Sequence, residues 1–202
     1  MTDTPKDATN LGAAKGNTLN AGGYAWFAPV GSELPTNAID DIPSDFESLG
    51  YISEDGLTTT TDTDTETRTD WGGETIKSDL TSFTETFQAS FLESRESVLK
   101  AVYGDANVTS DGNGSIAVSH NARFTTEHAY IFESLITDTL IKRTVIPRGS
   151  ISERDDVSEN PSDLLAYTPT ITALADESGN TSYVYYYDSA KAAHEDDDQE
   201  DD

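Results

Sequence analysis

Short apolar segments with a period of two, separated by polar turn residues, predict a protein built mainly from β-strands. Residues 24–30 are apolar on both faces, as expected of a buried or interface strand, and residues 31–44, which contain two prolines, predict a loop. Residues 46–53 predict the next strand, which is expected to end in the turn Glu54-Asp55-Gly56. Residues 81–91 alternate cleanly. The face expected to meet the core carries Phe83, Phe87, Ala89 and Phe91 and is interrupted only by Glu85.

The rest of the chain predicts one helix and several further strands. Residues 94–103 carry an apolar stripe with helical spacing, Ser94 is expected to cap the N-terminus, and Gly104 is expected to end the helix. Further strands are predicted at residues 116–120, 129–135, 140–147, 165–175 and 181–187. Turn sequences of the kind that close hairpins occupy residues 111–114 and 178–180. Many short strands with a single helix predict a β-barrel or sandwich.

Residues 59–69 form an unusual polar segment in which every odd position is threonine. The even positions between them are Thr60, Asp62, Asp64, Glu66 and Arg68. A period of two with β-branched residues predicts an extended chain, yet neither face is apolar enough to lie on a core. We therefore predict a protruding ribbon or loop at residues 58–70 that becomes ordered against a neighbouring subunit; a disordered low-complexity linker is the alternative. Trp71-Gly72-Gly73 is predicted to mark the return to the domain, with the ring as an anchor and the glycines as a turn.

The chain is expected to form one β-domain with a polar extension at each end. Its 202 residues fit a single domain, with an N-terminal arm at residues 1–23, the domain at residues 24–188 and an acidic C-terminal tail at residues 189–202. Residues 1–20 lack the apolar stretch of a signal peptide, and no apolar run approaches the roughly 18 residues of a membrane span. We therefore expect a soluble, unprocessed chain without a membrane partner.

The charge of the chain is strongly negative. There are 38 acidic and 12 basic residues, and the formal net charge is −26. Direct binding of nucleic-acid phosphates is not expected, because such binding needs basic patches and the lysines and arginines here are scattered. Self-repulsion of this size destabilises a compact fold at low salt, whereas about 1 M salt shortens the Debye length to about 3 Å. We therefore hypothesise a host with molar internal salt; a globular domain with an acidic tail is the alternative.

Candidate catalytic and metal-binding chemistry is sparse in this sequence. The three histidines, His120, His128 and His194, match no zinc spacing, there is no cysteine, and the sequence has no serine elbow or phosphate loop. Two oxygen-rich clusters depart from the EF-hand pattern. They are Asp105, Asn107, Asp111 and Asn113, and, on the ribbon, Asp62, Asp64 and Glu66. We therefore predict a non-enzymatic protein without a catalytic residue, cofactor or metal site.

An ordered set of segments carries a family resemblance. The segments are Ala25-Trp26-Phe27-Ala28-Pro29-Val30-Gly31 with Leu34-Pro35-Thr36, residues 49–57, Trp71-Gly72-Gly73, residues 87–104, Lys142-Arg143-Thr144-Val145-Ile146-Pro147, and residues 167–174 with Gly179-Asn180-Thr181. Together they cover about residues 21–188, and the set resembles the major tail (tail tube) proteins of long-tailed siphophages.

The resemblance implies a mainly β fold, a β-barrel or sandwich of the tail tube type with one flanking α-helix. In that family the subunits close into rings, commonly hexameric, that stack into a hollow tube through which the viral genome passes. It also implies that the segment at residues 58–70 reaches the adjacent ring and that the arm at residues 1–23 packs between subunits. The residues expected at the ring and stacking interfaces are Thr59, Thr61, Thr63, Asp64, Thr65, Glu66, Thr67, Arg68, Trp71, Tyr24 and Trp26.

The same resemblance implies a structural protein of the virion tail and a set of partners. These are further copies of the chain, the tape-measure, tail-terminator and baseplate proteins, and viral DNA that passes through the lumen without specific binding. The acidic ribbon and tail depart from what we expect of bacterial relatives and point to a virus of halophilic archaea. A secretion-system tube protein and an acidic cell-surface β-domain are the alternatives.

Overall fold

The structure is a computed structural model that describes residues 11–17, 23–123 and 125–192. Its strands are β1 (Lys15–Gly16), β2 (Ala25–Pro29), β3 (Glu47–Ser48), β4 (Ile52–Thr69), β5 (Thr75–Phe91), β6 (Val108–Ser110), β7 (Ile116–Val118), β8 (Glu127–Leu135), β9 (Leu140–Arg154), β10 (Pro169–Ala173) and β11 (Tyr183–Asp188). Helix α1 is Glu96–Tyr103, a 3-10 turn follows at Asp105–Asn107, and residues 189–192 form a helical turn. The predicted fold class, mainly β with a flanking helix, is confirmed.

One antiparallel sheet organises the molecule. Its strand order is β3-β2-β8-β9-β10-β5-β4, β1 pairs with β8 beside β2, and β11 pairs with β9 beside β10. Strands β6 and β7 form a separate hairpin. Two strands share one edge of β9, because its first half pairs with β11 and its second half pairs with β10. Gly149 lies in the second half, where a Cβ atom would come within 2.6 Å of Ile171 and 3.0 Å of the Tyr130 ring, so only glycine fits.

The main core lies on one face of the sheet and is covered by α1. Buried side chains of the sheet, including Phe87, Phe91 and Tyr130, form one cluster with Val98 and Val102 of the helix. The helix begins later than predicted. Its N-cap is Arg95 and not Ser94, and no side chain caps it. The Ser94 hydroxyl is hydrogen-bonded to the Tyr167 hydroxyl at 3.1 Å. Gly104 ends the helix with a φ of 88°, as its position predicts.

A second core lies on the opposite face of the sheet. Trp26 and Ala28 of β2 pack there with Ile131 of β8 and Val145 of β9. The loop that follows β2 covers this cluster with Leu34, Ile42 and Phe46. Strands β2, β8 and β9 are therefore buried on both faces, which explains why residues 24–30 are apolar on both faces of the strand.

The predicted strand at 46–53 and its turn are wrong in detail. Strand β3 has only the residues Glu47–Ser48, and the segment Glu54-Asp55-Gly56 lies inside β4 rather than ending a strand. The pairing of β4 with β5 shifts register between Ile52 and Leu57, and Gly56 has a φ of 68°. A bulge therefore absorbs the extra residues, because glycine tolerates the left-handed conformation that the bulge needs.

The two predicted hairpin turns differ in outcome. Residues 111–114 join β6 to β7 in a hairpin. Residues 178–180 also form a turn, with the Asn180 carbonyl accepting from the Asp176 amide at 2.9 Å, but this turn joins β10 to β11, which both pair with β9. The hydroxyl of Tyr183 donates to the Asp176 carboxylate at 2.6 Å, and together with backbone amides it lowers the pKa of Asp176. That turn thus closes no hairpin, because its flanking strands dock on a shared neighbour.

Part of the predicted N-terminal arm pairs with its own domain. Lys15 lies opposite Leu135 and Gly16 opposite Ser134, both on β8. Asn17 is buried and donates to the Glu133 carboxylate at 3.0 Å. Residues 15–17 are therefore held by their own chain, whereas residues 1–10, 18–22 and 193–202 of the predicted arm and tail lie outside the described residues.

Candidate functional site

The most conspicuous feature of the surface is the long hairpin of β4 and β5. The two strands pair from Ile52 and Phe91 at the base to Thr69 and Thr75 near the tip. Every residue of β4 from Thr58 onward is exposed. At about 3.3 Å per residue this exposed part is roughly 35–40 Å long, and residues 62–69, which lie beyond the last pair of β5 with β10, project roughly 25 Å from the body. The protruding ribbon predicted at residues 58–70 is present, but it is ordered by pairing with β5 of its own chain and not by a neighbouring subunit. The alternative of a disordered linker does not describe it.

One face of the hairpin continues the face that enters the core. Residues directly opposite each other in an antiparallel pair point to the same side. Thr59 lies opposite the buried Phe87, Thr63 opposite Phe83, and Thr65 opposite Leu80. We call this side the threonine face; its members are Thr59, Thr61, Thr63, Thr65, Thr67, Leu80 and Phe83. It carries five of the predicted interface residues together with two large apolar side chains, Leu80 and Phe83, which are 61% and 49% exposed.

The opposite face of the hairpin is charged. The acidic face carries Asp62, Asp64, Glu66 and Asp79, with Arg68 and Lys77 paired across the strands near the tip. Ser82 donates to the Asp64 carboxylate at 3.0 Å, and Lys77 forms an ion pair with Asp79 at 2.8 Å. The predicted interface residues Asp64, Glu66 and Arg68 therefore face away from the threonines. One flat partner surface cannot contact both sets.

The tip of the hairpin lies at Trp71-Gly72-Gly73. The Asp70 amide donates to the Glu74 carbonyl at 2.9 Å, and Gly73 takes a φ of 86°, so the glycines form the predicted turn. The predicted anchoring role of the ring is wrong, because the Trp71 side chain is 105% exposed. The chain reverses at the far end of the ribbon and not at the domain surface. A tryptophan is thus held in solvent about as far from the core as the hairpin reaches.

The base of the hairpin shows where the core ends. Phe87, Ala89 and Phe91 are buried as predicted, but Phe83 is 49% exposed. The reason is that β10 ends at Ala173, opposite Glu85, so no strand supports β5 beyond that point. Glu85 is not a core residue either, since its carboxylate accepts hydrogen bonds from Thr181 at 2.7 Å and Ser182 at 2.8 Å. No local sequence signal marks this boundary.

The two aromatic residues predicted for the interface have different environments. Trp26 is only 4% exposed and belongs to the second core, so it is a core residue of the single chain and not a contact to another subunit. Tyr24 is half-buried and packs edge to face on Tyr51, with ring centroids 6.1 Å apart. We therefore keep Tyr24 among the proposed interface residues and remove Trp26 from them.

A groove opens beside the base of the hairpin. We call it the basal groove; it has a volume of about 470 Å³ and lies between Gly16 of β1, Ile52 and Leu57 of β4, Phe132 of β8, and Lys142 and Thr144 of β9. Tyr24 also lines it. Sequence reasoning missed this groove because its walls come from four strands that are far apart in the chain.

His128 and the first oxygen-rich cluster have structural roles, whereas His194 lies outside the described residues. His128 is buried, and its Nε2 lies 2.9 Å from the Asp105 carboxylate. The Asp111 carboxylate accepts from the amides of Asn113 and Ser115, which lowers its pKa. Within residues 11–17, 23–123 and 125–192, no group of three or more His, Cys, Asp or Glu side chains is placed to hold a metal ion. In the same part of the chain, no helix has the length and apolar character needed to cross a membrane.

Comparison with known proteins gives one family match. A family model described as "Phage tail tube protein" matches residues 14–195. The match spans β1 to β11 and therefore includes the hairpin and the basal groove. No curated protein matches the chain.

Proposed function

This chain belongs to the phage tail tube protein family, a structural component of the virion tail, and from that premise we propose that its copies close into rings that stack into the tube of a long-tailed virus. The tube then serves as the conduit for genome ejection. The proposed ring number is six, the number common among siphophage relatives. The protein acts through assembly and not through catalysis.

The threonine face is the observation that carries the stacking proposal. Leu80 and Phe83 are 61% and 49% exposed, and Thr59 to Thr67 flank them in a continuous stripe. Large apolar side chains on a protruding ribbon lower the free energy only when another surface covers them. The hairpin projects beyond its own body, so a second copy stacked along the direction of the ribbon is placed to cover this stripe.

The free edge of the sheet supports ring formation. Strand β4 is the last strand of the sheet, and in the described residues its outer edge has no strand partner. Unpaired backbone amides and carbonyls along such an edge favour pairing with another chain. A contact between β4 of one copy and a different edge of the next copy is head-to-tail, and head-to-tail contacts close into rings when the rotation allows.

The charge supports a passage for DNA without binding. With a net charge of −26, the subunit repels phosphates over most of its surface. We propose that acidic side chains line part of the lumen and that DNA passes without specific contacts. The tape-measure, tail-terminator and baseplate proteins are the proposed partners at the inside and ends of the tube. The same charge supports a halophilic archaeal host.

Electron microscopy tests the proposal. The wild-type protein is concentrated in about 1 M salt, where the Debye length is about 3 Å, and is imaged by negative stain. Rings and tubes are expected. A matched variant in which residues 61–85 are replaced by Asn-Gly, a turn that suits a short hairpin, is expected to fold but to form no tubes. Wild-type protein that stays monomeric at every salt and protein concentration contradicts the proposal.

A further inference from the structure

The hairpin carries an exposed tryptophan at one end and an apolar groove at the other. We propose that the basal groove of one copy binds Trp71 from the hairpin tip of a second copy. This inference rests on the proposed stacking of rings and identifies one contact between the stacked copies. Trp71 was among the residues expected at an interface, whereas no stretch of sequence indicated the groove. Each surface lacks a covering partner in the described chain.

The floor of the groove is one continuous sheet face. Phe132 of β8, Thr144 of β9 and Val184 of β11 lie side by side in one row across the sheet. Ser134, Lys142 and Tyr186 form the next row. Val184 and Tyr186 are 44% and 60% exposed, so the apolar floor extends past the groove and stays open to solvent at β11.

The groove suits an indole in size and chemistry. Its volume of about 470 Å³ lies in the range of pockets that bind small organic molecules, roughly 300–1,000 Å³. Ile52, Leu57 and Phe132 supply apolar walls for the ring. A buried indole N–H requires an acceptor, and the Ser53 hydroxyl lies at the lining.

The charges at the two surfaces are complementary. Lys142 lines the groove and has no ion-pair partner in the described part of the chain. Trp71 is flanked at the tip by Asp70 and Glu74. A chain with 12 basic and 38 acidic residues has few cations to offer, and one of them lies where an acidic tip would dock. The lining also contains Lys15, which pairs with Asp138, Glu133, which bonds to Arg143, and Glu54.

The geometry makes the contact repeat along one direction. The tip and the groove are separated by the exposed ribbon, roughly 35–40 Å, so a copy cannot fill its own groove. Because the two surfaces are different, the contact is heterologous and each added copy presents a new groove and a new tip. Residues 1–10, whose sequence is MTDTPKDATN, are a poorer occupant because they offer the apolar floor no aromatic side chain.

Disulfide trapping tests the contact directly, because the natural chain contains no cysteine. Ser53→Cys places a thiol at the groove lining, and Gly72→Cys places one beside Trp71, where an added Cβ meets only the Asp70 side chain. A disulfide needs Cα atoms within about 7 Å, so these two positions cannot join within one chain. Oxidised tubes of the double variant are expected to give a ladder of dimers, trimers and higher species on a denaturing gel. The matched control combines Gly72→Cys with Ser158→Cys, which lies outside the groove, and is expected to give no ladder.

A second variant measures how much the indole contributes. Trp71→Ala is expected to raise the protein concentration needed for tube formation by roughly tenfold or more, as for a buried aromatic hot spot. Trp71→Phe is expected to lie between that variant and the wild type, and thermal unfolding of all three monomers is expected to coincide because residue 71 is exposed. Tubes without a ladder, or an equal ladder from the control, overturn the groove contact and leave the stacking proposal standing. Wild-type protein that forms neither tubes nor rings overturns both.

Discussion

At the scale of single residues, one buried ion pair joins parts of the chain that are far apart in sequence. Arg143 and Glu133 are 2% and 5% exposed, and the Arg143 Nε donates to the Glu133 carboxylate at 2.7 Å. Arg143 also donates to the carbonyls of Asn37 and Asp40, and Glu133 accepts from Asn17. The pair therefore fastens the loop after β2 and the segment after β1 onto β8 and β9.

Replacing Arg143 by methionine is expected to destabilise the monomer strongly. The variant removes the Arg143 guanidinium from the buried Glu133 carboxylate, which costs about 3–5 kcal/mol and lowers Tm by roughly 6–20 °C in a domain of this size. Thermal unfolding followed by circular dichroism at one fixed salt concentration measures the change. The double variant Arg143→Met/Glu133→Leu is expected to recover part of the loss, because no uncompensated charge remains. A single variant as stable as the wild type would show that the pair does not hold the loop.

At the scale of elements, the hairpin uses its period of two to separate two chemistries. Odd positions of β4 place threonines beside Leu80 and Phe83, and even positions place carboxylates on the other side. Hydroxyl and methyl groups of threonine tolerate close contact with another protein surface, whereas a row of carboxylates resists it by repulsion and desolvation. Neighbouring residues of the same strand are therefore expected to differ sharply in their importance for assembly.

The matched pair Thr63→Asp and Thr60→Asp tests this division. Both residues are exposed threonines of β4 and both changes add one negative charge, but Thr63 lies on the threonine face and Thr60 on the acidic face. Tube formation is expected to be lost in Thr63→Asp and retained in Thr60→Asp. The free energy of unfolding of each monomer is expected to change by only about 0.5 kcal/mol, as for other surface substitutions. Negative-stain microscopy scores the tubes, and equal assembly of the two variants would refute the division.

At the scale of the whole molecule, the net charge of −26 opposes both folding and assembly. Bringing many subunits of one sign together multiplies the repulsion that a single compact chain experiences. The repulsion between exposed charges is screened once the Debye length falls to about 3 Å in 1 M salt. Stability and assembly are therefore expected to depend on salt in the same direction.

A series of salt concentrations tests the predicted salt dependence of folding for the single chain. Circular dichroism is expected to show loss of folded structure at about 10 mM salt and its recovery at about 1 M. The control is a chain that ends at residue 194, which removes the acidic run 195–202. It is expected to keep the salt requirement, because acidic residues recur along the whole chain. If the shortened chain folds fully at low salt, the alternative of an ordinary domain with an acidic tail is correct, and a fully folded wild type at about 10 mM removes the halophilic hypothesis.

Local patterns in the sequence determined which elements form and which side chains share a face. The helix, most strands and the polar ribbon follow from period and composition, because these depend on neighbours along the chain. Tertiary structure alone decided what covers each face. Phe83 and Phe87 share one face in the sequence pattern, but only Phe87 is buried, because the neighbouring β10 ends opposite Glu85.

The candidate site likewise combines features that the sequence predicted with features that only the tertiary structure shows. Alternation along residues 59–69 predicted an extended ribbon, and the resemblance implied that it reaches another subunit. The burial of Trp26 and the full exposure of Trp71 depend on which distant segments pack against them, namely the loop after β2 in one case and nothing in the described chain in the other. The basal groove needs four strands to meet, so no stretch of sequence contains it. Periodicity is a property of neighbours along the chain, whereas a surface is made by residues that only folding brings together.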